Sequence, residues 1–348
     1  MRAGVLYRDE SRIRIEERDR RPLARNEVRV RIHACGVCGS DVHFTVHKQV
    51  RLKKECAVLG HEASGVILEI GEEVRERQPG ERVVISAGTS CGVCPACSRG
   101  HWNLCASASV LGLEIDGAFA EEIIIEERYL IPLPSGIPFD HGAILADAVS
   151  TPYHALKYVG FLQRGEKVGI IGIGGLGVHA VQIANILGAN QLIAVDIDPG
   201  ALENASRLGA DECIDAKQSK NIGKDLKELS GGLDILVDFS GQYKNIENSL
   251  RAMNFGGRMV LVGLGKNSLE FKFPMMIVER QIRISGSLGC DTRAIPELMD
   301  LYLSGKLDLS QSITSHHPLE EVNECLENLH HRKGNPIRYI ITPNGAIR

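Results

Sequence analysis

The residues of this chain best suited to chemistry fall in three places. Cys91, Cys94, Cys97 and Cys105 are spaced three, three and eight apart, the first three within a stretch rich in Gly, Pro and Ser. Four thiolates this close in sequence can converge on one tetrahedral ion, and an all-thiolate set of four is a closed, structural zinc site. Cys38 and the adjacent pair His61-Glu62 offer a second set of soft and borderline donors suited to zinc. Two protein ligands are too few, so a third must come from farther along. Asp147 is the best candidate, because it stands in the apolar run Ile144-Leu145-Ala146-Asp147-Ala148-Val149, where an unpaired carboxylate is costly. A helix cap or a salt bridge to an arginine is the other way to satisfy it.

The third place is Gly172-Ile173-Gly174-Gly175-Leu176-Gly177. A GxGxxG string alone is a weak signal. Here it follows the apolar run 168–171 and opens a helical segment with Leu176, Ala180, Ile183, Ala184 and Leu187 on one face, which is the context of a dinucleotide fingerprint. Gly172 permits the tight turn, Gly174 the close approach of a pyrophosphate, and Gly177 the packing of helix on strand. The amides of Gly175 and Leu176 then face the phosphates at the positive end of the helix. Asp196 ends the next strand, nineteen residues after Gly177. A carboxylate there accepts from the adenosine ribose 2′-OH and repels a 2′-phosphate, which predicts NAD rather than NADP. Asp198 is the better candidate for capping the helix that follows.

These groups need a scaffold. Residues 27–35 alternate, with Val28, Val30 and Ile32 on one face and Arg29, Arg31 and His33 on the other, the period of a half-buried strand. Similar short runs at 63–70, 82–86, 118–125 and 129–131, separated by Gly and Pro turns, predict a barrel-like β module. Near residue 145 the pattern changes. Apolar runs at 168–171, 192–195, 212–214, 235–239, 259–262 and 282–285 have helical segments between most of them, which predicts a doubly wound parallel sheet. From about 290 the pattern is mixed again, with a helix near 319–331 and a last strand near 337–341 expected to pack on the first module. The expected fold class is α/β: an N-terminal barrel-like β domain over 1–146 carrying both metal sets, a doubly wound parallel-sheet Rossmann domain over 147–287, and a return to the first domain over 288–348.

Composition bounds the partners. With 348 residues, 43% apolar and 24% charged, the chain is that of a globular protein of two ordinary domains. A net charge of -4 and a pI of about 6.3 give no general electrostatic case for nucleic acid. The opening Met-Arg-Ala-Gly-Val-Leu-Tyr is followed by dense charge from Arg8 to Arg20, which leaves no apolar core for a signal peptide. No run approaches the roughly 18 apolar residues of a spanning helix. The expectation is a cytoplasmic protein with neither membrane nor nucleic-acid partner. Its cysteines then serve as metal ligands or free thiols, and Cys35, Cys56, Cys213, Cys290 and Cys325 have no metal-like spacing.

Taken together, Gly36-Val37-Cys38-Gly39-Ser40-Asp41, Gly60-His61-Glu62, the Cys-x2-Cys-x2-Cys-x7-Cys run and the Gly-rich turn resemble the zinc-containing medium-chain alcohol dehydrogenases over essentially the whole chain. The resemblance implies a barrel-like catalytic domain, a Rossmann domain and a homodimer or homotetramer. It implies two zinc ions per chain, NAD, and a reversible hydride transfer between an alcohol carbon and the cofactor, giving an aldehyde or ketone. Cys38, His61 and Asp147 then look like catalytic zinc ligands, and Cys91, Cys94, Cys97 and Cys105 like structural ones. Glu62 resembles a glutamate that approaches the metal during ligand exchange, and Asp41 the carboxylate that orients the histidine ligand. Ser40 and His43 resemble a proton relay, Thr151 a threonine beside the nicotinamide, and Arg338 a pyrophosphate-binding arginine. Gly39 departs from members that carry a basic phosphate contact there.

Three other readings fit less of the chain. A zinc-free reductase of quinones or activated double bonds has no use for Cys38, His61 and Glu62. A zinc-ribbon nucleic-acid binder spaces its cysteine pairs about 15–20 residues apart, whereas here all four lie within 91–105. A non-catalytic NAD-binding protein is separable only by assay. The substrate is less legible: a polyol or an anionic alcohol is an alternative to a simple one. The pocket is expected around Ser40, Phe119 and residues 47–54, with Phe119 suited equally to the core. Lys48, Arg51, Lys53 and Lys54 make that last stretch either a solvated loop or a steering element for an anionic substrate. Trp102 is expected to pack the cysteine lobe, and the pairs His316-His317 and His330-His331 receive no metal role.

Overall fold

The computed structural model describes residues 1–46 and 52–345. Lys48 and Arg51 of the basic stretch therefore lie outside the described residues. The chain divides into two compact units, one of residues 1–150 and 291–348 and one of residues 151–290. The divisions fall a few residues beyond 146/147 and 287/288, so Asp147 belongs to the first unit.

In the first unit, β1 (Arg2–Tyr7), β2 (Arg14–Glu17), β3 (Glu27–Val37), β4 (Cys56–Val58), β5 (Glu62–Ile70), β6 (Arg82–Ile85), β7 (Glu122–Glu126) and β8 (Leu130–Pro132) are strands of three to eleven residues, with β-branched residues concentrated in β3, β5, β6 and β7. A three-stranded sheet runs β2-β1-β4. β3 is the hub of the larger sheet, pairing antiparallel with both β5 and β7. Val28, Val30 and Ile32 are fully buried, as their alternation predicts. Arg29 departs from the pattern: it is 5% exposed, with Glu69 at 3.1 Å and Glu122 at 3.6 Å, so its charge is compensated within the sheet.

The second unit holds β9 (Lys167–Ile171), β10 (Gln191–Asp196), β11 (Glu212–Asp215), β12 (Leu233–Asp238), β13 (Met253–Leu261) and β14 (Arg283–Gly286). All pair parallel, in the order β11-β10-β9-β12-β13-β14. This is the doubly wound order, and its direction reverses between β9 and β12, where such sheets bind ligands beyond their carboxyl ends. The helix Gly177–Ile186 buries Val178, Ala180, Val181, Ile183 and Ala184, a wider apolar face than the one read from the sequence. In the first unit again, β15 (Ser315–His317) and β16 (Tyr339–Ile341) extend the sheet, with β16 antiparallel to β3. Among the described residues no helix is long and apolar enough to cross a membrane.

Candidate active site

The first unit gathers its mixed donor set from three turns. Cys38 follows β3 and caps the helical turn Gly39–Phe44. Its amide donates to Oδ2 of Asp41 at 2.9 Å, while Oδ1 of the same carboxylate lies 3.6 Å from Nδ1 of His61. One buried aspartate therefore shapes the Cys38 loop and orients the histidine. His61 is delivered by a sharp turn at Gly60, whose φ of 92° and whose contact with Phe119 and Cys35 exclude any side chain. Glu62 comes next, as the first residue of β5.

Asp147 arrives from the helix Phe139–Leu145. That helix is pinned at its start: Phe139 stacks on His33 at 4.2 Å and carries the Arg82 guanidinium over its ring at 4.3 Å, and the Ser64 hydroxyl donates to its carbonyl. The result places Oδ2 of Asp147 3.6 Å from Sγ of Cys38 and 3.5 Å from Nε2 of His61. Ligand atoms of Cys38, His61, Glu62 and Asp147 all lie within 4.8 Å of one another. Donors about 2.0–2.3 Å from one tetrahedral zinc are roughly 3.3–3.8 Å apart, so the spacing fits the ion.

The electrostatics fit it as well. Burial works against a charged His61, yet Asp41 and Asp147 outweigh it and hold its pKa well above the usual range. The cluster thus draws a proton where a cation belongs. Burial pushes Glu62 up to about 7, against the pull of Arg338. Both carboxylate oxygens of Glu62 are buried without a hydrogen-bond partner. Arg338 sits below it, 2% exposed, with Nη1 donating to Val37 O at 2.9 Å and Nε 3.5 Å from Oε2 of Glu62. Ser40 Oγ is 3.4 Å from Nε2 of His61, and His43 lies in the same helical turn as Ser40. Phe119 is fully buried in the core of the unit. Lys53 pairs with Glu114 at 2.7 Å.

The four-cysteine lobe forms a second cluster of closely spaced ligand atoms. Cys94 Sγ is 3.5 Å from Cys97 Sγ and 3.9 Å from Cys105 Sγ, against roughly 3.8 Å for thiolates around one zinc. These separations are far beyond a disulfide bond, and none of the ten cysteines, all among the described residues, is in a disulfide. Main-chain amides lower Cys94 to about 6, while burial and the Cys94 neighbour raise Cys97 to about 11. The amides of Cys91 and Ser107 donate to Cys105 Sγ. Trp102 closes the lobe, Nε1 donating to Cys97 O at 3.2 Å, and Arg293 lies over its ring while also bonding Gly100 O.

In the second unit the Gly-rich loop joins β9 to its helix. Gly172 has a φ of 88°, and a Cβ there would sit 2.8 Å from the Ser240 amide; a Cβ at Gly177 would overlap Gly172 O. Asp196 Oδ2 accepts from the Ile173 amide at 2.6 Å and Oδ1 from the Asp198 amide at 2.9 Å, so the carboxylate is fixed at the loop. Asp198 caps the next helix through Gly200 and Ala201. Gly174, Gly175 and Leu176 complete the turn, and Thr151, buried, is the first residue of this unit. Sequence reasoning missed Gly36, which faces Glu62, and the Glu62–Arg338 pair. The only signal for Gly36 was its place in the Cys38 motif, and 276 residues of sequence separate the members of the pair.

Known proteins bear on this arrangement. Residues 24–135 match the family described as alcohol dehydrogenase GroES-like domain, and residues 175–304 the family described as zinc-binding dehydrogenase. An alcohol dehydrogenase of Geobacillus stearothermophilus is 32% identical over 94% of this chain and 96% of its own. A sorbitol dehydrogenase of Bacillus subtilis is 27% identical over 99% and 98%. The crystal structure of the alcohol dehydrogenase of Aeropyrum pernix superposes with a TM-score of 0.87 at 32% identity, covering 99% of this chain and 100% of that one.

Proposed function

The chain belongs to the zinc-containing medium-chain alcohol dehydrogenase family and is an oxidoreductase of alcohols, and on that premise we propose that it uses NAD, holds two zinc ions and works through the residues assembled above. The convergence of Cys38, His61, Glu62 and Asp147 within 4.8 Å carries the reading. Cys38, His61 and Asp147 would hold the catalytic zinc, and Cys91, Cys94, Cys97 and Cys105 the structural one. When bound, zinc supplies the Lewis acidity that favours an ionised hydroxyl, and NAD supplies the hydride acceptor.

The chain's own groups do the rest. Asp41 keeps His61 in one orientation and tautomer. Ser40 takes the proton of the alcohol hydroxyl, and His43 passes it toward solvent, a role an imidazole can fill near neutral pH. Glu62 stands by as an exchangeable carboxylate at the metal set. Asp196, already aimed by two amides at the loop, supports the preference for NAD over NADP. Gly172, Gly174, Gly175, Leu176 and Gly177 receive the pyrophosphate, Thr151 lies beside the nicotinamide, and Arg338 contacts the pyrophosphate. This last role is testable by the NADH affinity of Arg338→Gln.

A polyol is the favoured substrate class, supported by the sorbitol dehydrogenase relative. We also propose a cytoplasmic homodimer or homotetramer. The strand β14 ends its sheet with Leu288 and Val278 exposed nearby, which supports self-association. The decisive experiment is the initial rate of NADH formation on primary, secondary, polyol and acidic alcohols, with and without a zinc chelator. Chelator-sensitive NADH formation supports the proposal. Turnover that survives complete removal of zinc overturns it.

A further inference from the structure

On the C-terminal return, outside every motif used so far, Ser315, His317 and Glu321 form a hydrogen-bonded chain. Nε2 of His317 lies 2.7 Å from Oγ of Ser315, and Nδ1 of His317 lies 2.7 Å from Oε2 of Glu321. Ser315 and His317 are alternate residues of β15, so their side chains share one face of the strand. Glu321 comes from the 3-10 turn Leu319–Glu321. A carboxylate only accepts, so Nδ1 carries the proton; in the neutral imidazole Nε2 is then the acceptor, and the Ser315 hydroxyl donates to it. That is the tautomer a general base requires.

The base is also held firmly. Tyr339 of β16 meets the His317 ring edge-on at 5.3 Å, and the His317 carbonyl accepts from the Thr342 amide at 2.8 Å. Sites on such rigid elements keep their geometry better than sites on loops. The group opens to solvent: the His317 side chain is 21% exposed and that of Glu321 46%. β15 is the last strand of its sheet, and an edge strand presents main-chain groups that no neighbouring strand uses.

We propose that Ser315, His317 and Glu321 form a second reactive centre, a hydrolytic one, at which Ser315 is acylated by activated esters. Oγ of Ser315 attacks the ester carbonyl carbon while Nε2 of His317 takes the hydroxyl proton. The carbon–oxygen bond to the leaving group breaks, and His317 returns that proton to the departing oxygen, releasing an alcohol. Water then attacks the acyl-serine, His317 accepts its proton and gives it to Oγ, and a carboxylic acid leaves. The balance is ester plus water to acid plus alcohol, with nothing oxidised or reduced. Glu321 touches no substrate; it is a positioning residue that holds the imidazole in this orientation and tautomer.

The test uses the zinc-loaded enzyme and p-nitrophenyl acetate, following p-nitrophenol release and mapping the acetyl group by peptide mass spectrometry after an acid quench. The expected adduct is on Ser315. Ser315→Ala and His317→Gln each lower acetylation and release at least about a hundredfold, the low end of general-base effects. Glu321→Gln lowers the acetylation rate less and leaves the apparent affinity for the ester in place, and Glu321→Asp, which can still accept from Nδ1, restores part of the rate; a merely structural role would not separate Gln from Asp. All these variants keep alcohol oxidation and melting temperature. Acetyl groups found only on lysine or cysteine, or release unchanged in Ser315→Ala, overturn the proposal.

Discussion

Gly36 on β3 is paired across the sheet with Glu62 on β5, and the glutamate's carboxylate fills the space that a side chain at residue 36 would need. A Cβ added to Gly36 would overlap Oε2 of Glu62 and lie 3.1 Å from its Cβ and Cδ. The backbone of Gly36 is ordinary extended strand, so the requirement is for room rather than for a left-handed conformation. Glu62 has little freedom to yield, being fully buried with Arg338 at 3.5 Å on one side.

Gly36→Ala therefore forces Glu62 out of its place beside the metal set. Overpacking of this kind costs about 1–3 kcal/mol. The expected result is a lower unfolding midpoint of the zinc-loaded enzyme and an altered visible spectrum of its cobalt-substituted form. A variant with wild-type midpoint and spectrum would show that Glu62 relaxes freely and has no fixed place there.

The two metal clusters should separate under mutation. On the proposed assignment, Cys38→Ser and Asp147→Asn each remove a ligand of the mixed set, so zinc per chain should fall from two to one. Loss of a Lewis acid worth several kcal/mol lowers kcat at least about a thousandfold. NADH affinity should hold, since the Gly-rich loop and Asp196 belong to the second unit. Zinc analysis, steady-state kinetics and a fluorescence titration check the three statements. Retained turnover in Asp147→Asn would remove Asp147 from the ligand set.

Cys94→Ser acts on the other cluster. Cys94 lies 3.5 and 3.9 Å from two of its three companions, and main-chain amides lower its thiol to about 6. Its loss should empty the lobe and lower the melting temperature, because structural zinc binding is folding free energy. In freshly prepared protein kcat should stay within a few-fold of wild type. A variant with intact melting temperature but no turnover would reverse the assignment of the two sites.

Much of this was legible in the chain because local spacing encodes it. The Cys91–Cys105 run, the Gly172–Gly177 turn and the alternating β3 each compress their instruction into a dozen residues or so. Asp147 was legible for a different reason, a charge in an apolar run that demanded a partner. What escaped was non-local. Nothing near Arg338 in sequence announces Glu62, and Arg29 reads as an outward residue because its partners Glu69 and Glu122 are 40 and 93 positions away. His316-His317 was legible as a histidine pair, but the hydrogen bonds of His317 to Ser315 and Glu321 require the actual strand and turn.

Asp196 braces the Gly-rich loop and is proposed to bind the ribose as well, and its variants should show both. Its carboxylate holds the Ile173 and Asp198 amides, and we assign it to the ribose hydroxyl as well. Asp196→Ala should weaken NADH at least about tenfold, about 1.4 kcal/mol, and should weaken NADPH less, because the charge that repels a 2′-phosphate has gone. The measurement is the ratio of the two dissociation constants. An unchanged ratio would leave Asp196 as a loop brace alone.

Acid should weaken the first unit through His141. Burial lowers its pKa from the ordinary 6.5, opposed by Asp140 and Asp308 and helped by His316. Its Nδ1 lies 2.8 Å from the hydroxyl of Tyr302. In the folded protein the ring stays neutral at a pH where the unfolded chain already binds a proton. Unfolding therefore takes up a proton in that window, and stability rises with pH there, by at most about 1.36 kcal/mol per unit. The contribution is complete above about 6.5 and is lost as pH falls through the lower, folded pKa. His141→Gln removes this proton uptake but not that of His33, whose pKa is also lowered by burial. The stability lead of wild type over the variant should consequently shrink between pH 7.5 and 6, measured by denaturant unfolding of the zinc-loaded enzyme. A lead that grows on acidification would mean that His141 is charged in the folded state, with Asp140 and Asp308 outweighing burial.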